Sequence, residues 1–174
     1  MLPFKVSLKK AVVARQVKMM CRMYEGNCAE SLTVGLLGEH AVMAMFQAGG
    51  WLASHQSFIE TQRQYFGDTQ SASSIDIMAR PSPGRPWLYY QVKTSLYRAC
   101  WIKTACLEKC RDQGVASVFF VDVKIDGNMA HCEVYHQDSP DEIRRSWVRR
   151  PSGLWVHPQQ ANEQILAGEK HVQI

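Results

Sequence analysis

Val115 to Ile125 reads as a single strand, and at its heart Val118-Phe-Phe-Val121 places apolar side chains on both faces. Successive side chains of a strand point to opposite faces. A run that is apolar at every position therefore belongs in the middle of a sheet, buried on both sides. The remainder of the chain has to supply neighbouring strands and the layers that cover them.

Those neighbours are legible. Asp126-Gly127-Asn128 is a turn into a second strand, Met129 to His136,. Upstream, Ser74 to Arg80 is a short strand, Pro81 to Pro86 a turn whose prolines cannot donate ladder hydrogen bonds, and Trp87 to Thr94 the returning strand of an antiparallel hairpin,. Trp51 to His55 starts a further strand. Three stretches have helical periodicity: residues 5 to 24, a basic helix with a Val6, Val13, Val17, Met20 stripe; residues 29 to 48, apolar nearly all round and stopped by Gly49-Gly50; and Ala99 to Gln113, with Ile102, Cys106 and Cys110 on its core side,. Residues 56 to 73 are polar and read as a long loop. The pattern predicts an α/β architecture, a mixed central sheet flanked by helices, with a basic N-terminal helix and a C-terminal helical appendage. The boundaries are 1–28 for the first helix, 29–138 for the core and 139–174 for the appendage, which carries a helix start at Ser139-Pro-Asp-Glu142 and a helix near Gln159 to Ala167.

With 174 residues, 46% of them hydrophobic, the chain is able to build a real core, which argues against global disorder,. A net charge of +4 is compatible with nucleic acid without demanding it,. The short apolar run Ala11-Val-Val-Ala14 does not make a secretory leader, and no segment reaches transmembrane length. The six cysteines then read as reduced thiols, and the expected location is cytoplasmic or nucleoid-associated, away from membranes,. Cys106 and Cys110 share a helix face, but no matching Cys or His pair supports a zinc cluster.

Chemistry concentrates on the hairpin. Gln91 and Lys93 are two apart and so share a face of an otherwise apolar strand,. Burying an amide and an ammonium there is costly unless something uses them. Asp76 lies on the partner strand, within a hairpin's reach. Glu39 sits in the apolar second helix beside Gly35 and Gly38, small residues that allow close approach of a backbone or a ligand,. An acid beside an amide oxygen and a lysine points to a divalent metal ion and a phosphodiester substrate.

Gly35-Leu-Leu-Gly-Glu39-His-Ala41 with Gly49-Gly-Trp51, then Ser74-Ile-Asp76-Ile, then Gln91-Val-Lys93-Thr94, resembles in order and spacing the PD-(D/E)xK nuclease superfamily of restriction-endonuclease-like fold,. The last motif looks like the Gln-x-Lys variant of Mrr-like and some homing-type endonucleases. Archaeal-type Holliday-junction resolvases share the frame with glutamate at the Gln91 position. The resemblance covers about residues 33 to 135. It implies a metal-dependent DNA endonuclease acting in repair, recombination or restriction, and working as a homodimer. It further implies Mg2+ or Mn2+ held by Asp76, the Gln91 amide oxygen, the Val92 carbonyl and Glu39, with Lys93 orienting water and stabilising charge on the phosphate. The departure is Gln91, which brings no charge to a cation.

Bland readings stand beside these. Asp76 caps a turn, Lys93 extends its ammonium to water, or Glu39 pairs with Lys93. The corresponding function is a catalytically inactive nuclease-fold module that binds DNA or a protein partner. Arg144, Arg145, Arg149 and Arg150 around Trp147 are either a phosphate-contacting arm with a stacking aromatic or a solvated basic helix. His55, His131 and His136 read as surface or strand residues. No nucleophile elbow and no phosphate-binding Gly-rich loop is present.

Overall fold

The computed structural model describes residues 3–23, 29–56 and 75–161. The predicted loop at 56 to 73, beyond Gln56, and most of the helix near Gln159 to Ala167 lie outside these residues, apart from a helical turn at 158–161.

The elements run β1 (Phe4–Lys9), a 3-10 turn (Lys10–Val12), α1 (Ala14–Met23), α2 (Ala29–Ala48), β2 (Leu52–His55), β3 (Ile77–Arg80), β4 (Leu88–Ser95) and β5 (Trp101–Lys103). They continue as α3 (Thr104–Asp112), β6 (Val115–Asp126), β7 (Met129–Asp138), α4 (Pro140–Ser146), β8 (Val148–Arg149) and β9 (Leu154–Val156). Six strands form one mixed sheet in the order β1-β7-β6-β4-β3-β2, and β5-β9-β8 form a second, three-stranded sheet. In the large sheet β4 and β6 are parallel and the other neighbours antiparallel. This is the mixed α/β sheet flanked by helices that the sequence predicts.

The doubly apolar run sits inside the sheet because it has to be covered twice. Phe119, Val121 and Val123 of β6 pack with Leu37, Ala41, Val42 and Phe46 of α2. Val118 and Phe120 pack on the opposite side with Leu107 of α3, Ile143 of α4 and Trp147. Leu37, Val42 and Val118 are fully buried, and each such side chain contributes about 1.5–3 kcal/mol on leaving water. No helix among the described residues is long and apolar enough to cross a membrane.

Three expectations need correction. Residues 4–9 are a strand, not the start of a helix: Phe4, Val6 and Leu8 are half-buried and alternate with exposed Lys5, Ser7 and Lys9. That two-residue period was masked by the helical stripe that continues from Val13, and it is used because β7 offers an open edge, pairing Phe4 with Val134 through Lys9 with Met129,. Next, the helix expected from Ala99 begins only at Thr104, since Trp101–Lys103 pairs with β9. Finally, residues after Ser139 are not purely helical. The predicted helix start is there, a capping box in which the Glu142 N–H donates to Ser139 Oγ (3.2 Å) and the Ser139 N–H to Glu142 Oε2 (2.9 Å),. Beyond it, β8 and β9 close the small sheet.

Helix α2 approaches β4 very closely. A Cβ at Gly38 would lie 1.8 Å from Thr94 Cγ2. Gly38→Ala is therefore expected to lower the urea midpoint, at a cost of about 1–3 kcal/mol from overpacking. Adding Thr94→Ser, which removes the clashing methyl, should restore most of the loss. Parent-like stability in the single variant would show that this contact gives way freely.

A candidate metal and phosphate site where the sheet splits

Alternation divides the residues of β4. Tyr90 and Val92 join the core under α2, and Thr94 meets Gly38 on that side. Gln91 and Lys93 therefore face the other side, where the Lys93 ammonium lies near the Cys106 thiol of α3,.

Asp76 stands between the two faces. It precedes β3, with its N–H donating to the Tyr90 carbonyl (2.9 Å) and its own carbonyl accepting from the Gln56 N–H (2.8 Å). Its side chain takes over where the β3 ladder stops. Oδ2 accepts from the Val92 N–H at 2.7 Å and from Gln91 Nε2. The same amide nitrogen donates to the Val92 carbonyl at 3.2 Å. An amide NH2 thus lies within bonding distance of both a carboxylate oxygen and a main-chain carbonyl, the hard-oxygen pair a small cation would seek.

Burial, and next the Glu39 carboxylate, push Asp76 well above the ordinary carboxylate range, against the Val92 N–H and Lys93, which favour the ionised form,. Glu39 therefore acts on Asp76 electrostatically, from the α2 side of the sheet. Its carboxylate is paired with His55, Nε2 to Oε2 2.7 Å, and His55 also stacks on His40 with ring centroids 5.0 Å apart. The bland pairing of Glu39 with Lys93 gives way to this Glu39–His55 contact.

His55 is a strand residue, as one of its two expected readings has it, and ends β2; the sequence does not show that it is buried and holds the helical glutamate. The pairing of β2 with β3 puts His55 opposite Ile77, one residue from Asp76. Cys106, expected as a core thiol or, less favoured, a zinc ligand with Cys110, is partly buried on α3. The Cys110 hydrogen bond, together with the nearby Lys93 charge, draws Cys106 down to about 6 against the opposing effect of burial.

Burial lowers both His40 and His55 to about 4, the proximity of His55 adding to the effect on His40 and Asp76 opposing it at His55. Both imidazoles are neutral at pH 7, so the Glu39 contact is an N–H donated to a carboxylate. A histidine whose folded pKa is depressed supports the fold above its unfolded value near 6.5 and loses that support as pH falls through the folded value. His55→Gln is expected to lose less stability than the parent between pH 6.5 and 4. Superimposable pH profiles would contradict a neutral His55.

Trp147 does not form a stacking arm with its arginines. It is buried against Phe120, ring centroids 5.2 Å apart, while Arg144, Arg145 and Arg149 remain exposed. His131, hydrogen-bonded to Ser7 Oγ at 2.8 Å, is a strand-surface residue as expected.

The fold and this constellation define a mixed α/β protein with an acid, amide and lysine gathered at the split between β3 and β4. No family model matches the chain, and no curated protein matches it. Among solved structures it is similar to Hjc, a Holliday junction resolvase from the archaeal hyperthermophile Archaeoglobus fulgidus. The identity is 13%, the match covers 56% of this chain and 81% of that one, and the TM-score is 0.32. A likeness that slight carries no functional argument, and the reading of the site rests on its own geometry.

Proposed function

We propose that this chain is a metal-dependent DNA endonuclease that hydrolyses phosphodiester bonds, of the repair, recombination or restriction type. The observation that carries the reading is Asp76. A carboxyl raised by burial and by a second carboxylate, with a carbonyl and an amide at bonding distance, is stabilised by whatever brings positive charge to it,.

The residues fit Mg2+ or Mn2+. Asp76, the Val92 carbonyl, Gln91 with its amide turned to present oxygen, and Glu39 directly or through water would hold it. When bound, such an ion neutralises phosphate charge and lowers the pKa of water. The chain's own residues do the rest. Lys93 supplies an ammonium for the phosphate and for orienting the attacking water, His55 keeps Glu39 oriented, and the Val92 N–H fixes the Asp76 carboxylate. Exposed Arg144, Arg145 and Arg149 and a net charge of +4 suit a phosphate backbone,. Tyr97, 84% exposed and four residues beyond Lys93, offers a face on which a base can stack,. We further propose a homodimer, each subunit cutting one strand, in the cytoplasm or nucleoid.

The test is a panel of plasmid, nicked, branched and single-stranded DNA incubated with Mg2+ or Mn2+. Cleavage that requires the ion and falls at least about a hundredfold in Lys93→Ala supports the assignment. Undiminished activity in Lys93→Ala removes the mechanism. A sedimentation profile that is monomeric with and without DNA removes the dimer.

One observation favours a second reading, an inactive nuclease-fold module that binds DNA or a protein. The Gln91 amide as it stands already satisfies Asp76 and the Val92 carbonyl without an ion. Absence of Mn2+ at Asp76 in soaked crystals, together with no cleavage of any DNA form, would select it.

A further inference from the structure

Beyond the stretch of β7 that pairs with β1, which ends at Val134, the chain gathers a second set of ligating groups. His136 and Asp138 are two apart on β7, and His157 follows β9. Each of the three offers a ligand atom within 4.8 Å of the other two, and among the described residues they form the one group of three His, Cys, Asp or Glu side chains so placed. We propose that His136, Asp138 and His157 form a binding site for a borderline transition-metal ion of the Zn2+ class, separate from the Asp76 site, which fastens the segment after β9 to the main sheet.

The geometry is close to what such an ion needs. Neighbouring ligand atoms around tetrahedral Zn2+ are about 3.3 Å apart, given bonds near 2.0–2.1 Å. Here His136 Nε2 lies 2.9 Å from Asp138 Oδ2, and the His136 and His157 ring centroids are 4.6 Å apart. Small side-chain rotations bring the three atoms to a common centre. The carboxylate is already oriented, because buried Trp147 donates its Nε1–H to Asp138 Oδ2 at 2.8 Å, the kind of outer hydrogen bond that positions a metal ligand,. Two imidazoles and one carboxylate select Zn2+, Co2+ or Ni2+ over Mg2+. A fourth position is available to water, since His136 and His157 line a cleft of about 420 Å3 shared with Tyr97, Arg98 and Gln159.

The segment has reason to be fastened. The small sheet is short, with three, three and two residues in β5, β9 and β8. The His157 N–H to the Cys100 carbonyl, 3.1 Å, adds one rung to the β5–β9 pairing and leaves His157 at the end of that ladder. An ion shared by β7 and His157 would crosslink the two sheets beside the apolar contacts of Ile102, Trp147 and Trp155 with Phe120, adding to short strands that hold little by themselves.

The 174-residue chain, stripped by a chelator, is titrated with Zn2+ and with Co2+ in buffer containing excess Mg2+. One Zn2+ per chain is expected, with Co2+ giving the intense visible bands of a four-coordinate complex and raising Tm. His157→Ala and Asp138→Asn should each weaken binding at least tenfold and lose the Tm rise, whereas Asp76→Asn should keep both. Metal-free His157→Ala must match the parent in circular dichroism; His157→Gln serves if it does not. Sub-stoichiometric Zn2+, weak six-coordinate Co2+ bands, or unchanged affinity in His157→Ala would overturn the site and leave a His–Asp–Trp hydrogen-bond cluster. Loss of zinc in Asp76→Asn would instead place the ion at the other site.

Discussion

Asp76→Asn is expected to abolish divalent-cation-dependent DNA cleavage while leaving the metal-free protein as stable as the parent or more so. Loss of a metal-holding carboxylate removes several kcal/mol of charge stabilisation, about a thousandfold or more in rate. The stability effect runs the other way because of the electrostatics at this carboxyl. Burial and Glu39 raise it. An acid whose folded pKa lies above its unfolded value of about 3.9 supports the fold below that value and loses this support as pH rises through the folded pKa. The metal-free parent therefore weakens toward neutral pH. The Asn variant, which retains an oxygen for the Val92 N–H, does not. A gap of about 1–2 kcal/mol in favour of the variant at pH 7 is expected, closing toward pH 4. Mg2+ should stabilise only the parent, by about 2.7 kcal/mol at a hundredfold excess over its Kd. Urea melts at pH 7 and pH 4, with and without Mg2+, check each part. A variant that is destabilised yet cuts DNA normally would make Asp76 a structural cap of the β3 end and nothing more.

Phe120→Ala is expected to cost about 3–5 kcal/mol, the range for deleting a large aromatic from a packed core. Phe120 is fully buried and reaches Trp147 at 5.2 Å and His136 at 5.9 Å between ring centroids. The lost ring leaves a void between β6 and the segment carrying α4, β8 and β9. Trp147 should become more solvated, with a red-shifted fluorescence maximum, at denaturant concentrations where the large sheet persists. Unfolding of both in one transition with the full loss of stability would also fit the packing. A loss below about 1 kcal/mol would mean that the residues after Ser139 do not rely on this contact.

Much of the core was legible because its signals are local. β6 is apolar on both faces from Val118 to Val121, α2 is apolar around most of its circumference and ends at paired glycines, and the β3–β4 hairpin is punctuated by prolines. The two-residue spacing of Gln91 and Lys93 placed them on one face whatever the strand's neighbours. The capping box at Ser139 was equally local. Residues whose roles depend on distant partners were not readable in this way. Phe4 to Lys9 becomes a strand only because β7 presents an edge, and Trp101 to Lys103 only because β9 folds back beside it. His55 and His136 look like scattered histidines until Glu39 and His157 arrive from elsewhere in the chain.

Periodicity and turn chemistry, properties of neighbouring residues, were enough to set β2, β3, β4, β6 and β7, the central place of β6 and the faces of Gln91 and Lys93. Only tertiary structure decided that Asp76 sits where the ladder opens, between a glutamate on one side of the sheet and an amide and ammonium on the other. The reason is electrostatic as well as geometric: the ionisation of a buried carboxyl is set by charges and burial contributed by residues far away in sequence, and no local pattern encodes them,.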